Sequence, residues 1–157
     1  MKLPCIKKLF EKPGLPMFIS NLNKDLEFEY AAFVQYVQHK ACLHGATMLP
    51  LASMLDEHAG DEYAHMKLLS ERINYLGGTP TIKIEKINTT EDSMKMLSFD
   101  FDGEQTAIDR YKSRISEAES IGELGTAQVL RDILNDEEDH KNDLMVVLDK
   151  RNNNGTN

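Results

Sequence analysis

The sequence predicts an all-α protein, a bundle of four helices arranged as two helical hairpins that a long crossover joins. Two observations predict this class. Apolar residues recur at three-, four- and seven-residue steps in four segments, and glycines close most of those segments. The chain has 157 residues, which is the length of one domain that can bury its own core. We therefore expect a single helical domain.

The first hairpin comprises the first two helices. The apolar stripe of the first helix runs from about Ile19 to about His44, and Gly45 ends it. The second helix runs from about Leu49 to about Leu76, and consecutive glycines follow it, as is common at helix C-termini.

The segment that joins the hairpins is TPTIKIEKINTT. Its alternating isoleucines allow a short strand, and an extended crossover fits equally well. Fully extended, the segment reaches roughly 40 Å at ~3.3 Å per residue, which is enough to run the length of a long helix.

The second hairpin follows this crossover. Thr89 and Asp92 resemble a capping box, after which the third helix runs to about Ile121 and the fourth to about Lys150. We expect three regions in all: an irregular N-terminal arm over residues 1–18, the bundle over 19–150, and a disordered tail over 151–157.

Charge and cysteine content exclude several classes of protein. The chain has 18 Lys and Arg against 26 Asp and Glu, and this net charge of −8 argues against nucleic acid as a partner. Two cysteines without CxxC spacing form neither a disulfide framework nor a zinc motif. Apolar runs fall far below the ~20 residues that cross a membrane, and an export signal is not evident, so we expect a cytoplasmic protein.

Carboxylates on the apolar stripes are the strongest signal. A glutamate interrupts each stripe near its middle, and in the second and fourth helices a histidine follows three residues later. The set is Glu29, Glu62, His65, Glu104, Glu137 and His140. An offset of 75 carries each member in the first half onto its counterpart in the second, and it also carries Tyr36 onto Tyr111 and Asp25 onto Asp100. The chain is therefore a duplicated helical hairpin.

The spacing places this set deep inside the bundle. About 16 residues separate each hairpin turn from its glutamates, which is some 24 Å at ~1.5 Å per residue. Four charged carboxylates in an apolar core would cost several kcal/mol each without a neutralising partner. Two divalent cations balance four carboxylates, and a mixed imidazole and carboxylate set suits iron or manganese better than calcium.

The constellation resembles the di-iron carboxylate proteins of the ferritin-like superfamily, bacterioferritin and Dps-like proteins in particular, over roughly residues 20–148. The resemblance implies a ferritin-like bundle with two iron ions per subunit, each with a terminal Glu and His, and two bridging glutamates. The implied terminal pairs are Glu29 with His65 and Glu104 with His140, and the implied bridges are Glu62 and Glu137.

Two departures from bacterioferritin bear on haem and on assembly. Tyr63 stands where the haem-ligating methionine would stand, so the resemblance does not support haem. Only seven residues follow Lys150, which leaves no room for the fifth helix that closes the 24-subunit cage. We expect a homo-oligomer, with a dodecamer or a dimer favoured over a 24-mer.

The resemblance implies a ferroxidase that oxidises Fe(II) with dioxygen or peroxide, for iron storage, detoxification and protection against oxidative stress. Two alternatives stay open: a non-storing di-metal peroxidase or catalase of the rubrerythrin or manganese-catalase type, and a metal-free bundle that acts as a binding module. Tyr36 is either a core aromatic or a catalytic residue beside a ligand carboxylate. Asp61 and Asp136 are either partners of the ligand histidines or surface acids, and His58 is expected to be a packing or surface histidine.

Overall fold

The computed structural model describes residues 12–149, which form four long helices and contain no strand. The predicted four-helix bundle is confirmed, because the first helix packs on the second and the third on the fourth, and the first also packs on the third. The helices are α1 (Leu15–Cys42), α2 (Leu49–Tyr75), α3 (Ser93–Ser120) and α4 (Leu124–Val147), and a short 3-10 helix, Ala46–Met48, precedes α2. None of the helices in the described range is long and apolar enough to cross a membrane.

The N-terminal boundary of the bundle lies four residues earlier than predicted. Helix α1 begins at Leu15, so residues 15–18 of the predicted arm are helical. Pro16 is compatible with this start because it lies in the first turn, where a missing N–H removes no helical hydrogen bond. Residues 1–11 of the predicted arm, and the predicted tail over 151–157, lie outside the described residues.

Helix α2 ends at a pair of glycines, as predicted. Gly77 has a φ of 87° and donates its N–H to the Asn74 carbonyl at 3.0 Å, while Gly78 N–H donates to the Ile73 carbonyl at 2.9 Å. This pair of bonds is a Schellman motif, and its left-handed position favours glycine. The reason for glycine at position 78 is different, because a Cβ atom on Gly78 would collide with the side chain of Ile19.

The segment between the hairpins is an extended crossover, and the alternative of a short strand is wrong. Its backbone bonds to side chains of α1 instead of pairing with another strand. Thr81 N–H donates to Asn23 Oδ1 at 2.7 Å, and Asn88 N–H donates to Gln35 Oε1 at 2.8 Å. The crossover therefore runs along α1 and covers one face of it.

Helix α3 begins with a different cap from the one expected. Asp92 is itself the N-cap, since its Oδ1 accepts the N–H groups of Met94 at 2.9 Å and Lys95 at 3.1 Å. The predicted capping box with Thr89 is therefore wrong. Met94 lies in this first turn and is 45% exposed.

Two apolar clusters flank the middle of the bundle. The buried members of the first include Phe18, Leu22, Leu26, Leu69, Ile73, Tyr111, Leu130 and Ile133. The buried members of the second are Tyr36, Leu55, Ala59, Leu97 and Leu144. The predicted apolar stripes thus form the core, and a layer of buried polar side chains lies between the two clusters.

Candidate metal centre

The six residues of the duplicated motif meet in this middle layer, and none is more than 4% exposed. They form two groups in which one ligand atom from each residue lies within 4.8 Å of all the others. The first group contains Glu29, Glu62, His65 and Glu137, and the second contains Glu62, Glu104, Glu137 and His140. Two glutamates are therefore common to both groups.

The first group converges on the Nδ1 atom of His65. This nitrogen lies 3.3 Å from Glu29 Oε2, 3.4 Å from Glu62 Oε2 and 3.4 Å from Glu137 Oε1. Three carboxylates from three different helices thus surround one imidazole nitrogen.

The second group repeats this arrangement around His140. Its Nδ1 lies 3.5 Å from Glu62 Oε1, 3.7 Å from Glu104 Oε1 and 3.3 Å from Glu137 Oε2. Glu62 and Glu137 therefore direct one oxygen toward each histidine. That is the arrangement expected of carboxylates that bridge two metal ions.

Most of these inward-facing donor atoms are buried and lack a hydrogen bond. They are Glu29 Oε2, Glu62 Oε2, His65 Nδ1, both carboxylate oxygens of Glu137, and His140 Nδ1. Buried polar atoms are normally paired because each unpaired one costs free energy. Oxygen and imidazole donors from two overlapping groups fit a di-metal site, in which two divalent cations satisfy these atoms and offset the four carboxylates.

Each histidine also contacts an aspartate on the opposite hairpin through its other ring nitrogen. Nε2 of His65 lies 3.2 Å from Asp136 Oδ2, and Nε2 of His140 lies 3.2 Å from Asp61 Oδ2. Both aspartates are about half exposed, so each is a surface acid and also the partner of one of the two histidines. A proton assigned to Nε2 leaves the Nδ1 lone pair free for a metal.

Two buried tyrosines bond to the outer glutamates. Tyr36 donates its hydroxyl to Glu104 Oε1, and Tyr111 donates to Glu29 Oε1. Burial raises the pKa of both phenols well above the ordinary value, and the nearby carboxylates raise it further. Both tyrosines are therefore neutral hydrogen-bond donors, each attached to a carboxylate of the opposite half.

The carboxylates of the centre perturb one another. Burial raises the pKa of Glu62 well above its ordinary value, and the charges of Glu137 and Glu29 add to the effect. Burial, with a contribution from Glu137, raises the pKa of Glu104 to about 8. Burial opposes ionisation of Glu137 too, but its contacts with the two imidazoles outweigh it and lower that pKa to about 2.

The histidines hold protons when no metal is bound. Burial lowers the pKa of His65, but contacts with the carboxylates, Glu137 first among them, outweigh burial and raise it. The same balance raises the pKa of His140, where Glu104 makes the largest opposing contribution. Metal ions must therefore displace protons from this centre.

A cavity of about 290 Å³ connects the centre with the protein surface between α1 and α3. The four glutamates line its inner part, and the exposed residues Lys86, Asp102 and Thr106 line its outer part. At about 30 Å³ per water molecule, this volume accommodates hydrated ions and small molecules.

The sequence did not predict the buried polar pairs beside the centre. Asp25 accepts from Arg114 Nε at 2.6 Å and from Arg110 Nε at 3.3 Å. The only feature of the sequence that pointed to these two buried aspartates is the offset of 75, which matches Asp25 with Asp100.

The partners of Asp100 obey the same offset. Asp100 contacts His39 Nδ1 at 2.8 Å and accepts from Gln35 Nε2 at 2.8 Å. Positions 35 and 39 correspond to positions 110 and 114. The offset therefore relates the positions of the two clusters, although the residues at these positions differ between the halves.

His58 is buried beside the centre, as a packing histidine would be, and its ring stacks on that of His140 with 4.1 Å between centroids. Burial and His140 lower the pKa of His58 to about 4, so its ring is neutral at neutral pH. The corresponding position of the second half is Ile133, so the two halves differ here.

A four-helix bundle in which two carboxylate and histidine clusters share two glutamates defines the class of di-metal carboxylate proteins. The chain belongs to the ferritin-like family, since the model of the Ferritin-like domain matches residues 19–152. Among curated proteins, it is 33% identical over 129 residues to a bacterial ferritin of Synechocystis, an alignment that covers 81% of this chain and 83% of the relative.

Solved structures agree with this assignment. A ferritin-like, diiron-carboxylate protein from Bacillus anthracis superposes with a TM-score of 0.84 at 30% identity, over 87% of this chain and 98% of that one. A dodecameric thioferritin, the bacterioferritin-related protein of Bacteroides fragilis, superposes with a TM-score of 0.81 at 27% identity, over 88% of both chains.

Proposed function

We propose that this protein is a ferroxidase that binds two Fe(II) ions per subunit, oxidises them with dioxygen or peroxide, and passes the product to storage. The observation that carries the proposal is the pair of overlapping clusters, in which buried donor atoms of Glu62 and Glu137 face two histidines at once. The relatives named bacterial ferritin and diiron-carboxylate protein support the same chemistry.

The ligand roles proposed for the six residues follow their positions. One ion is held terminally by Glu29 and His65, the other is held terminally by Glu104 and His140, and the remaining two glutamates bridge them. Iron at these positions supplies the redox chemistry. The protein supplies a site that is closed by apolar clusters on two sides and is reached through the cavity between α1 and α3.

Tyr36 and the exposed aspartates orient the ligands. The Tyr36 hydroxyl holds the Glu104 carboxylate, and its phenol is near enough to the centre to give up an electron and a proton to an oxidant. Asp136 and Asp61 hold the two imidazoles from the far side, which keeps each Nδ1 directed at the centre.

Storage requires an assembly that encloses a mineral, and we propose that the chain forms a homo-oligomeric shell. The dodecamer named for the thioferritin of Bacteroides fragilis supports a shell of that size. Sizing by light scattering, before and after aerobic loading with Fe(II), tests this part. A particle of about twelve subunits that retains iron supports storage, and a dimer that consumes peroxide without retaining iron would contradict it.

Titration with Fe(II) under anaerobic conditions tests the site itself. Wild-type protein should bind two ions per subunit and oxidise them when air is admitted, and a Glu62→Ala, Glu137→Ala double variant should lose both ions. A Glu57→Ala, Glu138→Ala double variant is the matched control, because these glutamates are exposed on the same two helices. Retention of two ions by the first variant, or failure of the wild type to bind iron, would contradict the proposal.

A further inference from the structure

The contacts of the two halves match one another under the offset of 75. The bond from Tyr111 to Glu29 corresponds to the bond from Tyr36 to Glu104. The aspartate contacts of the two histidines and the buried partners of Asp25 and Asp100 correspond in the same way. The ligand sets of the two metal positions are therefore equivalent, and any difference between the positions must come from residues around them.

One such difference is a charge. Arg110 occupies the position that corresponds to Gln35 in the other half. Its Nη2 lies 3.7 Å from Glu29 Oε1, and its guanidinium carbon lies 4.0 Å over the ring of Phe28. The residue that corresponds to Phe28 is Gly103, so the surroundings of Glu104 have neither the cation nor the ring that supports it. Gln35 is uncharged and bonds to Asp100 instead.

Asp25 offsets the charge of Arg110 only in part. It lies 3.3 Å from Arg110 but makes its shorter contact, 2.6 Å, with Arg114, which also pairs with Glu117 at 2.7 Å. Guanidinium groups stay charged in proteins, and the counterpart of Asp25 in the other half, Asp100, has uncharged Gln35 where Asp25 has Arg110. Arg110 is also mostly buried, with 17% of its side chain exposed, so solvent screens it only in part.

We propose that Arg110 makes the two metal positions unequal, so that the first divalent ion binds at the Glu104–His140 position and the second, more weakly, at the Glu29–His65 position. This inference rests on the proposed di-metal function. A guanidinium beside Glu29 competes for that carboxylate and repels a cation, and no cation takes the corresponding place beside Glu104. A charge this close in a partly buried site should change a binding constant by about tenfold or more.

Anaerobic titration with Co(II), followed by calorimetry and visible absorption, measures the two binding constants without any turnover. Wild-type protein should bind in two separate steps. An Arg110→Gln variant, which copies the residue of the other half, should tighten the second step by about tenfold and leave the first unchanged. Arg110→Lys keeps the charge and should keep the steps apart, and Gln35→Arg should weaken the first step.

The position that fills first is identified directly. Anomalous diffraction at the cobalt edge, on wild-type crystals given one equivalent of Co(II), should show the ion at Glu104 and His140. A first ion at Glu29 and His65, or an Arg110→Gln variant whose two constants keep the wild-type ratio, would overturn the inference and leave the di-metal function standing. If wild-type protein binds no Co(II) or Fe(II), the proposed function and this inference both fail. Helical circular dichroism checks that each variant is folded, and Asp25 should keep Arg114 as its partner in the Arg110 variants, because the two are 2.6 Å apart in this structure.

Discussion

The charge balance of the centre predicts that the metal-free protein becomes less stable as the pH rises from 6.5 to 8. Glu104 illustrates the reason. Its pKa is about 8 in the folded protein and 4.5 as the ordinary value, so between these values the folded state binds a proton that the unfolded state lacks. Stability therefore falls with increasing pH in this window, at about 1.4 kcal/mol per pH unit.

Other groups of the centre act in the same direction. His65 and His140 have raised pKa values, so above the ordinary 6.5 they also hold protons that the unfolded chain releases. His58 opposes this effect only between about 4 and 6.5, because its lowered pKa makes the folded state bind fewer protons there. Glu137 contributes stability that is lost only as the pH falls toward 2. The window above pH 6.5 is thus free of opposing contributions from these two groups.

Urea unfolding of chelator-treated protein, at fixed subunit concentration across this pH range, measures the effect. Glu104 alone accounts for about 2 kcal/mol of lost stability over the window, and the histidines add to it. A Glu104→Gln variant should lose that share of the pH dependence, whereas a variant of the exposed Glu138 should not. Bound metal should abolish most of the dependence, because it displaces the protons. Stability of the metal-free protein that is flat or rises from pH 6.5 to 8 would refute the reasoning.

Three further outcomes are expected. Asp136→Asn should weaken metal binding by about 10- to 100-fold in calorimetric titrations, because it releases the imidazole of His65. The exposed control Asp139→Asn should leave the affinity unchanged. Equal affinities of the two variants would contradict the role of Asp136 in orienting His65. Tyr36→Phe should still bind two Fe(II) but oxidise them about tenfold more slowly in stopped-flow absorbance, and an unchanged rate would assign Tyr36 to the core alone. Gly77→Ala should destabilise the fold by about 1 kcal/mol in thermal unfolding, because Gly77 has a positive φ. Gly60→Ala should stabilise the fold, because Gly60 is helical and a Cβ atom there meets nothing. The reverse order of stabilities would contradict the assigned end of α2.

The four-helix bundle and the six residues that form the centre could be predicted because both depend on the spacing of residues along one helix. Residues that share a helix face are fixed by the 3.6-residue turn, and the offset of 75 then matched one hairpin to the other. Glu62 and His65 illustrate this, since three residues separate them and both face the interior. Helix ends were predicted to within a few residues, with the start of α1 as the largest difference.

Contacts between helices could not be predicted in this way. Asp61 lies four residues before His65 and suggests a partner on its own helix, yet it contacts His140 on the opposite hairpin. Which side chains meet across the bundle depends on the rotation and translation of packed helices, which the sequence of one helix does not determine. The proximity of Arg110 to Glu29 arises in the same way, because it joins α3 to α1.

The central claim is that Glu62 and Glu137 bridge two iron ions inside each subunit. Anomalous diffraction at the iron edge, on crystals soaked anaerobically with Fe(II), tests it most directly. We predict two iron peaks per subunit, one beside His65 Nδ1 and one beside His140 Nδ1, with the two glutamates between them. A single peak, or iron bound elsewhere on the chain, would contradict the account.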